Sequence, residues 1–297
     1  MEILCVEPYG PAVPKTLERQ MRSRIVALST AVALCATVAC DRDSSDSPFG
    51  ISSATEAFAM SASSRAIKPT IVLVHGAFAD ATSFQELIPL LQEKHYPVIA
   101  VQNTLTGLDA DIVTTKRLID AQKGPVIVLG HSYGGAVITG AAAGNPNVKA
   151  LVYVAAFAPD ANEPVAALQG NFPPSQLASA LVPDAAGFLY GDTAKFRAVF
   201  AQDLPARLTR IVAVTQKPVN STVFAASTPQ AAWRTIPSWY MVATEDHAIN
   251  PDLERFYAKR MNARTTEVKS SHVMYISHPA DVARVIEEAA KATAIQP

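Results

Sequence analysis

The feature that most constrains the fold of this chain is a regular alternation of short apolar runs with amphipathic segments, which begins near Pro69. The first run, TIVLV, is typical of a buried strand, and TSFQELIPLLQEKHY after it has helical periodicity with Thr82 or Ser83 as N-cap. The predicted strands are Thr70–Val74, Val98–Val101, Val126–Leu129, Lys149–Ala155, Trp239–Ala243 and Thr265–Lys269. The predicted helices are residues 82–96, Asp109–Gln122, Ser132–Ala143, Pro251–Met261 and Pro279–Ala292. This alternation predicts an α/β fold, with a parallel sheet and helices on both of its faces.

One stretch, about residues 160–236, interrupts the alternation. It is richer in Pro, Phe and Gln, and two of its segments, DTAKFRAVFAQDL and ARLTRIVAVTQ, have the pattern of helices. An insertion of this length between two strands of one sheet is too long for an ordinary connection. We therefore expect a helical cap or lid.

The composition of the chain limits the classes of function. Its 297 residues, 49% of them hydrophobic, suffice for one large α/β domain or two small ones. A net charge of −1 without a basic cluster argues against binding to nucleic acid. Because Cys5, Cys35 and Cys40 all lie in the first 40 residues, the remainder has no thiol for a disulfide, a zinc site or a cysteine nucleophile.

The N-terminal segment has the pattern of a bacterial export signal. Arg22 and Arg24 precede the apolar run Ile25–Ala39, which is too short for a comfortable membrane span. Cys40 then occupies a position that resembles the cleavage site of a bacterial lipoprotein, where the cysteine after the cut is lipidated. The alternatives are plain cleavage before Cys40 without a lipid and a buried N-terminal helix.

These observations predict three parts of the chain. Residues 1–40 are an N-terminal extension and signal peptide, with Met21 as the expected start of the signal. Residues 41–66, rich in Ser, Asp and Ala, have the composition of a flexible tether, and residues 67–297 form the α/β domain with its cap at about 160–236. We expect an exported protein, either periplasmic or held at a membrane by a lipid anchor at Cys40.

The sequence Gly130-His131-Ser132-Tyr133-Gly134 joins a predicted strand to a predicted helix. A G-x-S-x-G pattern in this context is typical of a nucleophile elbow, in which a sharp turn exposes the serine at the carboxyl edge of a sheet. The N-terminus of the following helix favours negative charge that develops there. Ser132 is therefore the predicted nucleophile, and the alternative is an ordinary glycine-rich turn with an incidental serine.

A serine hydroxyl needs a base to take its proton and a carboxylate to orient that base. His272, in SSHVMY just past the last predicted strand, is the predicted base. Asp246, at the end of the strand in WYMVATED, is the predicted acid, with Glu245 as the fallback and Asp160 as a less usual candidate. The backbone N–H groups of Ala77, in HGAF after the first strand, and of Tyr133 are the predicted oxyanion donors.

The segments VLVHGAF, GHSYGG, VATED and SSHVMYISHP together resemble the α/β-hydrolase superfamily, from Pro69 to about Thr293. Within it the chain is similar to the branch of small carboxylesterases, plant methylesterases and hydroxynitrile lyases. The resemblance implies a six-stranded parallel sheet without extra N-terminal strands. The lyases have a threonine in place of Gly76 and a lysine in place of Val273, so both departures favour hydrolysis. A serine at 132, where dehalogenases and epoxide hydrolases have aspartate, argues against those two branches.

We therefore expect a serine hydrolase of small-molecule carboxylic esters, lactones included, that needs no metal or organic cofactor. The alternatives are a lyase or perhydrolase with the same triad, and a ligand-binding protein that kept the fold without turnover. Aromatic side chains of HGAF and the cap are candidates for an apolar pocket, although many would instead form the core of the cap. They are Phe78, Phe172, Phe188, Tyr190, Phe196, Phe200, Phe224 and Trp233.

Overall fold

The structure, a computed structural model, describes residues 68–294. The predicted export signal, the anchor at Cys40 and the tether lie outside the described residues. Within residues 68–294, no helix combines the length and the apolar character that crossing a membrane requires.

The strands confirm the predicted central sheet. In chain order they are β1 (Thr70–Val74), β2 (Val98–Val101), β3 (Val126–His131), β4 (Val148–Val154), β5 (Leu181–Pro183), β6 (Phe188–Gly191), β7 (Val219–Asn220), β8 (Ser238–Ala243) and β9 (Arg264–Val268). Six of them form one sheet in the order β2-β1-β3-β4-β8-β9, and every neighbouring pair is parallel. Every residue of β3 and β8 is buried, and for this reason these inner strands are continuous apolar runs in the sequence. The edge strand β9, in contrast, has exposed residues.

The α-helices follow the predicted alternation. They are α1 (Leu87–Glu93), α2 (Leu108–Asp120), α3 (Tyr133–Ala141), α4 (Phe196–Phe200), α5 (Ala206–Val214), α6 (Pro251–Arg260), α7 (Met274–Ser277) and α8 (Pro279–Ala292). The bounds of α8 are those predicted, because Val282, Val285, Ile286 and Ala289 recur at helical spacing and are buried.

The prediction of one continuous helix over residues 82–96 is wrong. A short 3₁₀ turn spans Ala81–Phe84, and α1 begins only at Leu87. The Asp80 carboxylate, rather than Thr82 or Ser83, caps this turn and accepts the N–H of Thr82 at 2.7 Å. The physical reason is Pro89, which is tolerated in the first turn of a helix but would break the interior of a longer one.

The cap lies between β4 and β8 and is not purely helical. Its two predicted helices are present as α4 and α5, and both are shorter than predicted. Strands β5, β6 and β7 form a small antiparallel sheet that the sequence patterns did not predict. The β5–β6 turn is stabilised by Asp184, whose carboxylate accepts the N–H groups of Ala186 and Phe188, and by Gly187 with a φ of +83°. Strands of two to four residues are too short to show a period in the sequence.

The parallel sheet brings distant segments together at its carboxyl edge. The segments that follow β1, β3, β8 and β9 contain Ala77, Ser132, Asp246 and His272, respectively. Because all of these strands run in the same direction, the four segments leave the sheet at the same edge.

Candidate active site

Ser132 lies in the sharp turn between β3 and α3, with φ of 52° and ψ of −124°. A positive φ on a residue other than glycine costs of order 1–3 kcal/mol and persists only where surrounding contacts impose it. Here the N–H of Ser132 donates to Val154 at 3.2 Å, and its carbonyl accepts the N–H groups of Gly135 and Phe157 at 3.0 and 3.1 Å. These bonds hold the turn and present the side chain at the sheet edge.

The two glycines of the motif are required by close backbone contacts. A Cβ atom on Gly130 would lie 2.5 Å from the carbonyl oxygen of Gly134. A Cβ atom on Gly134 would lie 2.4 Å from the carbonyl oxygen of Val74 in β1. The turn can therefore close, and α3 can pack against β1, only if both positions lack a side chain.

The predicted base and acid are in contact. His272 Nδ1 lies 2.5 Å from Asp246 Oδ2, and both side chains are buried. Asp246 Oδ1 accepts the N–H groups of Ala248 and Ile249 at 2.6 and 2.9 Å. Three donors thus converge on one carboxylate, which fixes its orientation toward the imidazole.

The two alternative acids are engaged elsewhere. Glu245 is partly exposed, with its carboxylate 3.6 Å from Lys269 Nζ. The Asp160 carboxylate forms two hydrogen bonds with the Arg234 guanidinium, at 2.7 and 2.5 Å. Neither is placed to orient His272.

His131, inside the elbow, supports the loop that contains His272. Its Nε2 lies 3.0 Å from the carbonyl oxygen of His272, and because a carbonyl only accepts, this nitrogen is the protonated donor. Burial, reinforced by the neighbouring His272, lowers the pKa of His131 well below its ordinary value, so the ring is neutral. The two imidazole rings are 4.7 Å apart, which makes His131 a direct packing partner of the predicted base.

The cap is bonded to the loops of both predicted catalytic partners. Asp203 accepts the N–H and the hydroxyl of Ser271, next to His272, at 2.9 and 2.5 Å. The neighbouring Gln202 donates its side-chain amide to the carbonyl of Glu245, next to Asp246. One short segment of the cap therefore joins the acid loop to the base loop, a contact that local sequence patterns do not reveal.

The predicted oxyanion donors lie on either side of the serine. Tyr133 is the first residue of α3, and a Cβ atom on Gly76, next to Ala77, would lie only 2.7 Å from Ser132 Cβ. Within residues 68–294, the backbone N–H groups of Ala77 and Tyr133 have no protein acceptor. Both are thus free to donate to a bound group.

Ser132 and His272 line the same narrow cavity, of about 280 Å³ including its open mouth. Its remaining lining is apolar: Ala77, Phe78, Phe157, Leu177, Phe200, Phe224, Ala248 and Ile249. Phe78, Phe200 and Phe224 are thus in the lining, as expected. Sequence reasoning missed Phe157, Leu177, Ala248 and Ile249, although Phe157 follows β4 at the carboxyl edge and Ala248 and Ile249 follow the predicted acid.

The other aromatic candidates lie outside this lining. Phe196 packs behind Phe200, with ring centroids 4.8 Å apart, and Phe172 packs against Phe256. Trp233 donates its indole N–H to the carbonyl of Pro159 at 2.9 Å. Phe188 and Tyr190 belong to β6 of the small sheet.

Within the described residues, no group of three His, Cys, Asp or Glu side chains could hold a metal ion.

Comparison with known proteins agrees with this architecture. The sequence profile described as "Alpha/beta hydrolase family" matches residues 71–285. A carbendazim hydrolyzing esterase from Nocardioides sp. (strain SG-4G) is 28% identical over 162 residues, which are 50% of this chain and 65% of that protein. The match thus spans a little under two thirds of that relative's length.

Two solved structures are similar in fold. A pyrethroid hydrolase from Sphingobium faniae JZ-2 superposes with a TM-score of 0.65 at 22% identity, over 75% of this chain and 98% of that one. A methylesterase from Arabidopsis superposes with a TM-score of 0.61 at 17% identity, over 75% of this chain and 99% of that one. At these identities the likeness establishes the shared fold.

Proposed function

This chain belongs to the alpha/beta hydrolase family, and from that membership we propose that it is a serine hydrolase that cleaves carboxylic esters, lactones included. One observation carries the proposal above all others. His272, which is paired with the buried Asp246, lines the same apolar cavity as Ser132, a serine held at positive φ. An esterase among its relatives supports the same reaction class.

The proposed mechanism assigns one role to each group. Ser132 Oγ attacks the acyl carbon while His272 Nε2 takes its proton, and Asp246 stabilises the imidazolium through Nδ1. The N–H groups of Ala77 and Tyr133 donate to the oxygen that becomes negative. His272 then returns the proton to the leaving alcohol. Water, deprotonated by His272, attacks the acyl-enzyme, and the acid is released as the serine regains its proton.

The cavity favours a neutral, apolar substrate. Among residues 68–294, no ionisable side chain other than His272 contributes to its lining, and five residues of that lining are Phe or Leu: Phe78, Phe157, Leu177, Phe200 and Phe224. A charged acyl or alcohol group would lose its hydration there without gaining a partner. The printed names of the relatives, a carbendazim hydrolyzing esterase and a pyrethroid hydrolase, agree with a small organic substrate.

A specific observation disfavours the lyase alternative. A Cβ atom on Gly76 would lie 2.7 Å from Ser132 Cβ and 3.0 Å from His131 Nδ1, so the threonine of the lyase pattern does not fit this backbone. Val273, where the lyases have lysine, is buried and supplies no cation beside the predicted base. Both positions favour hydrolysis by water.

The test uses the full chain, a fluorophosphonate probe and a panel of p-nitrophenyl esters. We expect one covalent adduct, mapped by mass spectrometry to Ser132, and turnover of the esters. Ser132→Ala should remove the adduct and lower turnover roughly 10³-fold or more while the fold persists. Turnover of folded Ser132→Ala within about tenfold of the wild type would reject the nucleophile. An adduct on Ser132 without ester turnover would favour the ligand-binding alternative.

A further inference from the structure

A second carboxyl group is buried next to the predicted triad. Glu254, on α6, has no exposed surface, and its Oε2 accepts the N–H of Ala243 in β8 at 2.9 Å. Its other oxygen, Oε1, is buried and has no hydrogen-bond partner within the described residues. An ionised carboxylate in this position would have one donor for two oxygens in an apolar interior, which is a costly arrangement.

The neighbouring polar groups do not supply the missing donor. The guanidinium of Arg255 makes two 2.8 Å bonds to Glu267 and a third of 2.8 Å to Asp252, all at the surface. The hydroxyl of Tyr240, whose electrostatic environment includes Glu254, donates instead to the carbonyl of Ala156. Within residues 68–294, Glu254 therefore has no hydrogen bond from a cation or a side-chain donor, and the charge of Arg255 acts on it only from a distance.

The group that does face Glu254 is the predicted acid itself. Burial raises the pKa of Glu254 well above its ordinary value, and the neighbouring Asp246 carboxylate adds to this effect. Two adjacent buried carboxyl groups cannot both be ionised. Asp246 already receives hydrogen bonds from Ala248, Ile249 and His272, whereas Glu254 receives only one, so Glu254 is the better placed of the two to hold a proton.

We propose that Glu254 is a neutral carboxylic acid whose O–H donates a hydrogen bond to Asp246, and that it positions Asp246 for its contact with His272. The otherwise orphaned Oε1 becomes the donor, and every polar atom of the Glu254 side chain is then satisfied. Glu254 is a positioning residue, since it acts through Asp246. This catalytic consequence rests on the proposed function, whereas the location of the proton does not.

The retained proton has a consequence for stability that can be measured without any activity. Between the ordinary pKa of glutamate and the raised value, the folded chain binds the proton of Glu254 and the unfolded chain has lost it. The free energy of unfolding must therefore fall as the pH rises through this window. The contribution of Glu254 to it is fully present only below the ordinary pKa of glutamate. A glutamine at this position is neutral at every pH and removes this contribution.

The first experiment compares urea unfolding of the full-length wild type, Glu254→Gln and Asp252→Asn from about pH 5 to about pH 9. Asp252 is the matched control because it is an exposed acid on the same helix. We expect the stability of Glu254→Gln relative to wild type to increase steadily with pH, while that of Asp252→Asn does not. A difference for Glu254→Gln that stays constant, or that reverses, would show an ionised Glu254 and overturn the proposal.

The second experiment measures positioning through kcat for ester hydrolysis. Glu254→Leu removes the donor, and we expect kcat to fall about tenfold, the equivalent of one hydrogen bond to a charged group. Glu254→Gln should rescue most of that loss and should lack the alkaline fall in kcat that ionisation of Glu254 produces in the wild type. A folded Glu254→Leu with wild-type kcat would overturn the positioning role.

A third measurement keeps the proposal testable if a variant does not fold. The infrared spectrum of the wild type at neutral pH should contain the C=O stretching band of a buried protonated carboxylic acid, shifted in D₂O and lost on alkaline titration. Absence of this band overturns the proposal. If the wild type has no ester turnover, the proposed function fails, and the unfolding and infrared experiments still decide where the proton lies.

Discussion

At the scale of single residues, the environment of each side chain decides its chemistry. Glu245, Asp246 and Glu254 are three carboxyl groups within ten residues of chain, and they have three different surroundings. Glu245 is partly exposed near a lysine, Asp246 receives three hydrogen bonds, and Glu254 is buried with one unpartnered oxygen. Only the second arrangement holds a carboxyl group where it can orient an imidazole.

This difference leads to a prediction for the acid. Asp246→Asn should lower kcat by roughly 10⁴-fold, because an amide in this position favours the wrong imidazole tautomer. Glu245→Gln and Asp160→Asn are the matched controls, and each should retain most of the activity. Measurement of kcat for the three folded variants checks the assignment. A collapse in Glu245→Gln with a nearly normal Asp246→Asn would move the acid by one residue.

At the scale of elements, the site depends on how closely the backbones of β1, β3 and α3 approach one another. The contacts of Gly130 and Gly134 with neighbouring carbonyl groups leave no space for a Cβ atom. The cap adds a second constraint, since Gln202 and Asp203 bond to the loops after β8 and β9. The predicted triad is therefore positioned by the strands of the sheet and by one segment of the cap, Gln202 and Asp203.

The close approach at Gly134 can be tested by substitution. Gly134→Ala should destabilise the fold by about 3 kcal/mol, because its Cβ would lie 2.4 Å from the carbonyl of Val74 and α3 would have to move away from β1. Gly170→Ala is the control, since a Cβ there meets nothing within 4 Å, and it should stay within about 0.5 kcal/mol of the wild type. Urea unfolding measures both. Equal stabilities of the two variants would contradict the packing argument.

At the scale of the whole molecule, we expect the parts of the chain outside residues 68–294 to decide where the protein works. The basic and apolar pattern before Cys40 and the Ser/Asp/Ala-rich stretch after it support our proposal of an exported protein on a tether. A cysteine-free α/β domain suits an oxidising compartment, because no thiol in it can mispair.

Expression in a Gram-negative host, followed by fractionation and mass measurement, tests this proposal. We expect a mature chain that begins at Cys40 and has the added mass of lipid, located in the membrane fraction. A soluble periplasmic form that begins at Cys40 without lipid would contradict the anchor only. An unprocessed cytosolic chain that still starts at Met1 or Met21 would contradict export as well. A Cys40→Ser variant is the control for lipidation.

The sequence alone determined the features that depend on local pattern. Apolar runs and helical periodicity predicted the six-stranded parallel sheet, and the order of its strands in the chain indicated which loops share its carboxyl edge. Two residues selected in this way, Asp246 and His272, lie in contact, with Oδ2 and Nδ1 2.5 Å apart. Such features are predictable because each of them is encoded within about fifteen residues.

Only the tertiary structure decided the features that depend on distances between remote segments. The cavity lining combines residues from HGAF, the end of β4, the cap and the loop after β8, so the choice of Phe200 over Phe196 could not be inferred from their shared helix. The small cap sheet pairs β6 with a two-residue strand nearly thirty residues away. The proton that we propose on Glu254 rests on its burial beside Asp246. The physical reason is that packing and desolvation depend on every neighbour at once, and a linear pattern does not specify those neighbours.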